Sequence, residues 1–247
     1  MSFWDMDVKE LFGGAGGDKE EAFQKEKMEA IEKLLGPAFD MVGTPRIPFQ
    51  FKGNEDGRLS RFYFPNAILP SGGTGYATAE LATIDGKGPK NADGYYELVA
   101  FTTHPFQRPA IPAAYNEDND ILGDAPEEKV PDTPYTRAEA RIWHILNSVA
   151  YYATRQKEML KPGDTLEFPA DRKTGQSAAY VFFARYSSRV KPFFSFKRIK
   201  AHLMLVMELT REEFKTARQA GAVNMTNYLK VNGRWPYSLD PGQESAE

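Results

Sequence analysis

Cysteine is absent from this chain of 247 residues, and histidine occurs only three times. The lack of cysteine excludes disulfides, thiolate metal sites and a cysteine nucleophile, and it fits a reducing compartment. His104, His144 and His202 fall in three different predicted elements. None has a second histidine or a carboxylate at metal-ligand spacing, so ordinary hydrogen-bonded or surface roles are expected of them, with no metal and no cofactor. No apolar run approaches the ~20 residues a membrane helix needs. The start, Met1-Ser-Phe-Trp-Asp-Met-Asp7, has acidic residues where a secretory signal carries basic ones ahead of an apolar run, so a cytoplasmic protein is expected. The formal charge of −3 gives no whole-chain field that would imply nucleic acid, a membrane surface or a highly charged substrate. H-E-x-x-H, nucleophile-elbow and phosphate-loop motifs are also missing. Ser71-Gly72-Gly73-Thr74-Gly75 comes near the last of these, but it leads into a predicted strand, whereas a phosphate cradle opens onto a helix N-terminus.

What is present is material for a core: 41% of the residues are hydrophobic, enough for one large domain. Residues 1–17 form an apolar arm, with Phe3, Trp4, Met6, Val8, Leu11 and Phe12 followed by Gly13-Gly14-Ala15-Gly16-Gly17. Such an arm either reaches the edge of its own core or docks on a second copy, giving a homodimer. The domain proper is expected over 18–240, with a polar tail at 241–247. Asp18 caps a helix to Leu35, where Gly36-Pro37 stops it. Its stripe of Phe23, Ala30, Ile31 and Leu34 is narrow, so it is expected on the surface of the core.

Short aromatic and β-branched runs at Ile47–Phe51, Leu59–Phe64, Tyr76–Ile84 and Tyr95–Thr103 predict antiparallel strands. Residues 106–135 are proline-rich and acidic, with Glu117, Asp118 and Asp120 among seven carboxylates facing only Arg108 and Lys129, and they read as a surface insertion. Thr136 and Glu139 have capping-box spacing and open the longest helix, which is expected to end near Leu160. Ala138, Ile142, Ile145, Leu146, Val149 and Ala153 give it a strong stripe for packing across the sheet. Strands at Thr165–Phe168 and Ala178–Tyr186 come next. Ile199–Leu209 is almost continuously apolar and reads as a central strand, running into a helix capped by Thr210 and Glu213 and broken at Gly221. Helices at the start, middle and end with strands grouped between them predict an α+β fold with a mixed, mainly antiparallel sheet and helices packed on it.

Two patterns carry possible chemistry. Glu80 and Glu97 occupy predicted strand positions and could form a catalytic carboxylate pair in a hydrolase or transferase, although strand glutamates usually face solvent. Arg185, Arg189, Lys191, Lys197, Arg198 and Lys200 lie in a window without Asp or Glu, interleaved with Tyr186, Phe193, Phe194 and Phe196. Three readings follow: a solvated face or one that meets the acidic insertion of the same chain, a surface for an acidic protein partner, or a stacking platform for single-stranded nucleic acid. The acidic overall balance argues against the last.

A series of segments resembles the suppressor-of-fused-like domain family. It comprises Tyr95-Tyr96-Glu97-Leu98-Val99, Arg141-Ile142-Trp143-His144-Ile145-Leu146-Asn147, Lys161-Pro162-Gly163-Asp164-Thr165-Leu166-Glu167-Phe168-Pro169, and Leu209-Thr210-Arg211-Glu212-Glu213 through Gly221 to Pro236-Tyr237-Ser238. Their order and spacing resemble the family from about Tyr76 to Asp240; the weight lies in the series and in no single motif. The resemblance implies a mixed α+β domain that binds other proteins and has no catalytic residue to carry over. In animals the family restrains a transcription factor, and bacterial members are proposed as immunity proteins that neutralise toxins. The glycine-linked arm and the acidic insertion depart from the family pattern and leave the partner open.

Overall fold

A computed structural model of the chain describes residues 17–39, 59, 62–67, 69–107, 131–155, 159–170, 177–186, 192 and 194–240. Helix α1 spans Gly17–Leu35, followed by strands β1 (Phe62–Phe64), β2 (Thr74–Ala77), β3 (Lys90–Asn91) and β4 (Gly94–Thr102). Helix α2 spans Pro134–Arg155. Strands β5 (Thr165–Phe168), β6 (Ala179–Arg185), β7 (Phe194–Phe196) and β8 (Ile199–Leu209) lead into helix α3 (Arg211–Val231). The strands form one mixed sheet in the order β1-β2-β4-β8-β6-β5, with β3 pairing β4 and β7 pairing β8. Every pairing is antiparallel except β4 with β8, which is parallel with Tyr95 opposite Ala201 and Val99 opposite Leu205. This is the expected α+β architecture, with helices on both faces.

The apolar run of β8 follows from its place in the sheet. Leu203, Leu205, Met207 and Leu209 belong to a core completed by Ile31 and Leu35 of α1 and by Phe214, Met225 and Leu229 of α3. The alternate residues Met204 and Val206 join a second core with Ile142, Leu146 and Val149 of α2. A strand covered on both faces has no polar side to display, so periodicity of two disappears from its sequence.

Several elements differ from their sequence reading. Strand β2 ends at Ala77 rather than Ile84, because the chain leaves the ladder at Thr78 and bends around the side chain of Glu97. The cap of α2 is Thr133, not Thr136. Thr133 Oγ1 accepts from Thr136 N at 3.1 Å while Thr136 Oγ1 accepts from Thr133 N at 2.9 Å, so the reciprocal pair sits one turn earlier, with Pro134 opening the helix. Helix α2 therefore begins inside the 106–135 range and ends at Arg155, short of Leu160. Thr210 and Glu213 do form the expected box, at 2.9 and 3.1 Å. Gly221, at φ 75° and ψ 166°, leaves the helical conformation as expected, so α3 consists of two helical segments meeting at a kink. The arm at 1–16, the expected strand Ile47–Phe51, most of the acidic insertion and the tail at 241–247 lie outside the described residues.

Helix α1 is far more deeply seated than its predicted stripe implied. Phe23, Lys27, Ile31 and Leu35 recur every fourth residue, and all four are fully buried.

Candidate functional site

The basic segment folds as a two-strand hairpin at one end of the sheet. Phe194 pairs with Ala201 and Phe196 with Ile199, which leaves Lys197 and Arg198 as the turn. Lys197 takes a left-handed conformation, φ 52°, at the first central position of this tight two-residue turn. Phe194 and Phe196 anchor the hairpin inward, both meeting the ring of Phe23 edge-on at 5.3 and 5.4 Å. Phe194 and Phe196 thus serve the core, and among the described residues of this segment no row of exposed rings is left on which bases could stack. The cations point the other way. Lys197, Arg198 and Lys200 are exposed, and none makes an ion pair with a described residue; Lys197 lies over the ring of Phe196 at 5.3 Å.

Arg185 does not share this freedom. It is half-buried at the end of β6 and ion-paired to Asp93 in the β3–β4 turn, whose carbonyl oxygen lies 2.5 Å from His202 Nε2. Lys200 stands next to the start of β4, where a Cβ on Gly94 would lie 2.6 Å from the Lys200 carbonyl oxygen. The exposed cluster is therefore Lys197, Arg198 and Lys200. Arg189, Lys191, Glu117, Asp118 and Asp120 lie outside the described residues.

The suggested carboxylate pair is not a pair. Glu80 lies in the bend after β2, beyond the ladder. Glu97 is fully buried and holds four donors: Lys27 Nζ at 2.9 Å, Thr78 Oγ1 at 2.6 Å, Leu81 N at 3.1 Å and Ala82 N at 2.9 Å. Lys27 Nζ also donates to the Ala82 carbonyl at 2.7 Å and lies 5.0 Å from the centre of the Phe23 ring. A carboxylate that accepts four hydrogen bonds, one of them from a buried lysine, joins α1 to β4 and has no lone pair left to direct at a substrate. Sequence reasoning missed Lys27 because it counted lysine as surface. The signal was its position, four residues after Phe23 and four before Ile31.

A second buried pair joins α2 to the sheet. Arg141 donates from Nε to both carboxylate oxygens of Glu208, at 2.9 and 3.1 Å, and from its terminal nitrogens to the carbonyls of Ser177 and Ala178 at 3.0 and 2.6 Å. His104 Nε2 meets Asp240 Oδ1 at 3.2 Å, tying the chain end to the loop after β4. Among the described residues no group of three His, Asp or Glu side chains is placed to hold a metal, and no helix is long and apolar enough to cross a membrane.

The fold thus defines a class by its architecture, a mixed, mainly antiparallel sheet with three helices packed on it and a suppressor-of-fused-like fold. Among solved structures the chain is similar to that of the Sufu–Fu complex, with a TM-score of 0.52 and 12% identity over 91% of this chain and 90% of that one. Drosophila Suppressor of Fused also aligns, with a TM-score of 0.41 and 13% identity over 70% of this chain and 38% of that one. No family model and no curated sequence matches the chain.

Proposed function

We propose that this chain is a non-enzymatic protein-binding domain that engages an acidic surface of another protein through the β7–β8 hairpin. The observation that carries the reading is the contrast between two kinds of charge. Glu97, Lys27 and Glu208 are buried and, with the half-buried Arg141, paired inside the fold, whereas Lys197, Arg198 and Lys200 stand exposed on a hairpin held by two aromatic anchors. Exposed cations on a rigid hairpin steer an acidic partner and set register more than they supply affinity. The Sufu–Fu neighbour supports the same direction, since that structure is of a complex. The finer form of the reading is an immunity role, in which the partner is a toxin and the site of action the cytoplasm; the family resemblance supports it. The acidic residues Glu117, Asp118 and Asp120 and the arm at 1–17, as a homodimer contact, belong to the same proposal.

The test is charge reversal. Lys197→Glu, Arg198→Glu and Lys200→Glu together should abolish capture of the partner that the wild-type chain binds at low salt, with the circular dichroism spectrum unchanged. Undiminished binding by the triple variant would remove the hairpin from the interface.

A further inference from the structure

The stripe Tyr135, Glu139 and Trp143 recurs at every fourth residue of α2 and meets Tyr63 of β1 and Tyr76 of β2. The four aromatic residues are at most 2% exposed, and Glu139 is 9% exposed. Tyr63 donates to Glu139 Oε1 at 2.5 Å. Three further polar atoms, Tyr76 Oη, Tyr135 Oη and Trp143 Nε1, are sealed from the surface and close no hydrogen bond of ordinary length and angle, although the two phenols neighbour each other and Tyr135 neighbours the Gln107 backbone. Tyr76 and Tyr135 lie close enough to each other and to Glu139 that burial first, and then these neighbours, push the Tyr76 phenol far above its ordinary range. Burying three polar groups without partners forfeits their hydration, and native interiors rarely tolerate it.

The chemistry of the cluster narrows what could satisfy them. An indole N–H can only donate, so the guest must accept, which excludes metal ions and ammonium. The Glu139 carboxylate beside the phenols disfavours an anion. Tyr63, Tyr76 and Trp143 meet edge to face with centroids 5.7, 5.8 and 6.0 Å apart, which is ring-on-ring contact and leaves no room for a molecule of many atoms. A small neutral guest that both accepts from phenol and indole and donates to carboxylate is water.

We propose that the Tyr63–Tyr76–Tyr135–Glu139–Trp143 cluster is an internal hydration site, in which ordered water joins the unpaired donors of β2 and α2 to Glu139. The site makes the contact between α2 and the β1–β2 edge a polar, directional one within an otherwise apolar core, and so sets the register of the helix on the sheet.

A crystal structure of the full chain at a resolution that shows ordered solvent, together with thermal melts of Tyr76→Phe and Tyr135→Phe, tests this. Water density at about 2.6–3.2 Å from at least two of the three unpaired atoms is expected, and both variants should melt below the wild type because each loses a bridging bond. A dry site predicts the opposite sign, since removing an unsatisfied hydroxyl relieves a penalty. Absence of such density, density continuous with a larger molecule, or melting temperatures that stay level or rise in both variants would overturn the proposal.

Discussion

Replacing Lys27 by methionine probes the joint between α1 and the sheet most directly. Both partners of the Lys27–Glu97 pair are fully buried and lie 2.9 Å apart. The methionine fills most of the lysine's volume, so the main loss is the ammonium and the main consequence is a buried carboxylate without its counter-ion. Removing one member of a buried pair costs about 3–5 kcal/mol, and in a domain of this size 1 kcal/mol shifts the melting temperature by roughly 2–4 °C. Lys27→Met should therefore lower it by about 6–20 °C. Glu97→Ala should be worse. It strands the Lys27 charge and also removes the acceptor for Thr78 Oγ1, Leu81 N and Ala82 N, each orphaned donor adding about 1–3 kcal/mol. The sum reaches at least about 6 kcal/mol, comparable with the roughly 5–15 kcal/mol stability of a whole domain, so this variant should be largely unfolded. Thermal and urea denaturation followed by circular dichroism read both. If Lys27→Met melts within about 2 °C of the wild type, or Glu97→Ala is no worse than Lys27→Met, the buried-pair argument is wrong.

Three more outcomes are expected. Arg141→Lys keeps the charge but loses the fork that spans Glu208 and the Ser177 and Ala178 carbonyls; a loss of about 2–3 kcal/mol in chemical denaturation is expected, and a neutral result would show that the planar geometry is irrelevant. Lys197→Gly relieves a left-handed conformation, φ 52°, that carries a side chain, and should raise stability by up to about 1 kcal/mol; a loss of stability would mean that the contact with Phe196 outweighs the backbone strain. Burial, reinforced by neighbouring charge, raises the phenols of Tyr76, Tyr96 and Tyr135 above their ordinary value. As the pH climbs past about 10 the unfolded chain gives up these protons first, so stability is complete below that point and falls above it. In an alkaline titration at 295 nm these three tyrosines should ionise only together with loss of the near-ultraviolet dichroism. Ionisation of all twelve tyrosines near pH 10 with the fold intact would refute the burial argument.

Part of the site was legible and part was not. The basic segment stands out in the sequence because it lacks a single carboxylate, and three of its cations do end on an exposed hairpin. Arg185 carries the same charge in the same window and yet is half-buried against Asp93, a residue 92 positions away. The aromatics between the cations look like a stacking surface when read along the chain. In space Phe194 and Phe196 turn inward to Phe23, because the alternation of a strand sends one face to the core. Glu97 was visible as an unusual strand glutamate, but its meaning required Lys27, 70 positions earlier.

The sequence by itself determined the local elements. β5 and β8 begin and end at the residues the sequence predicts for them, the Thr210–Glu213 box starts α3, and Gly221 breaks it, because each of these depends on dihedral preferences and hydrogen bonds among near neighbours. Only the tertiary structure decided that β4 lies parallel to β8, that a lysine on an amphipathic helix belongs to the core, and that Glu97 is buried with four donors around it and not on an open sheet face. These outcomes rest on burial and pairing between segments far apart in the chain. A charge costs little in water and much without it, so its role is set by what surrounds it and not by its neighbours in sequence.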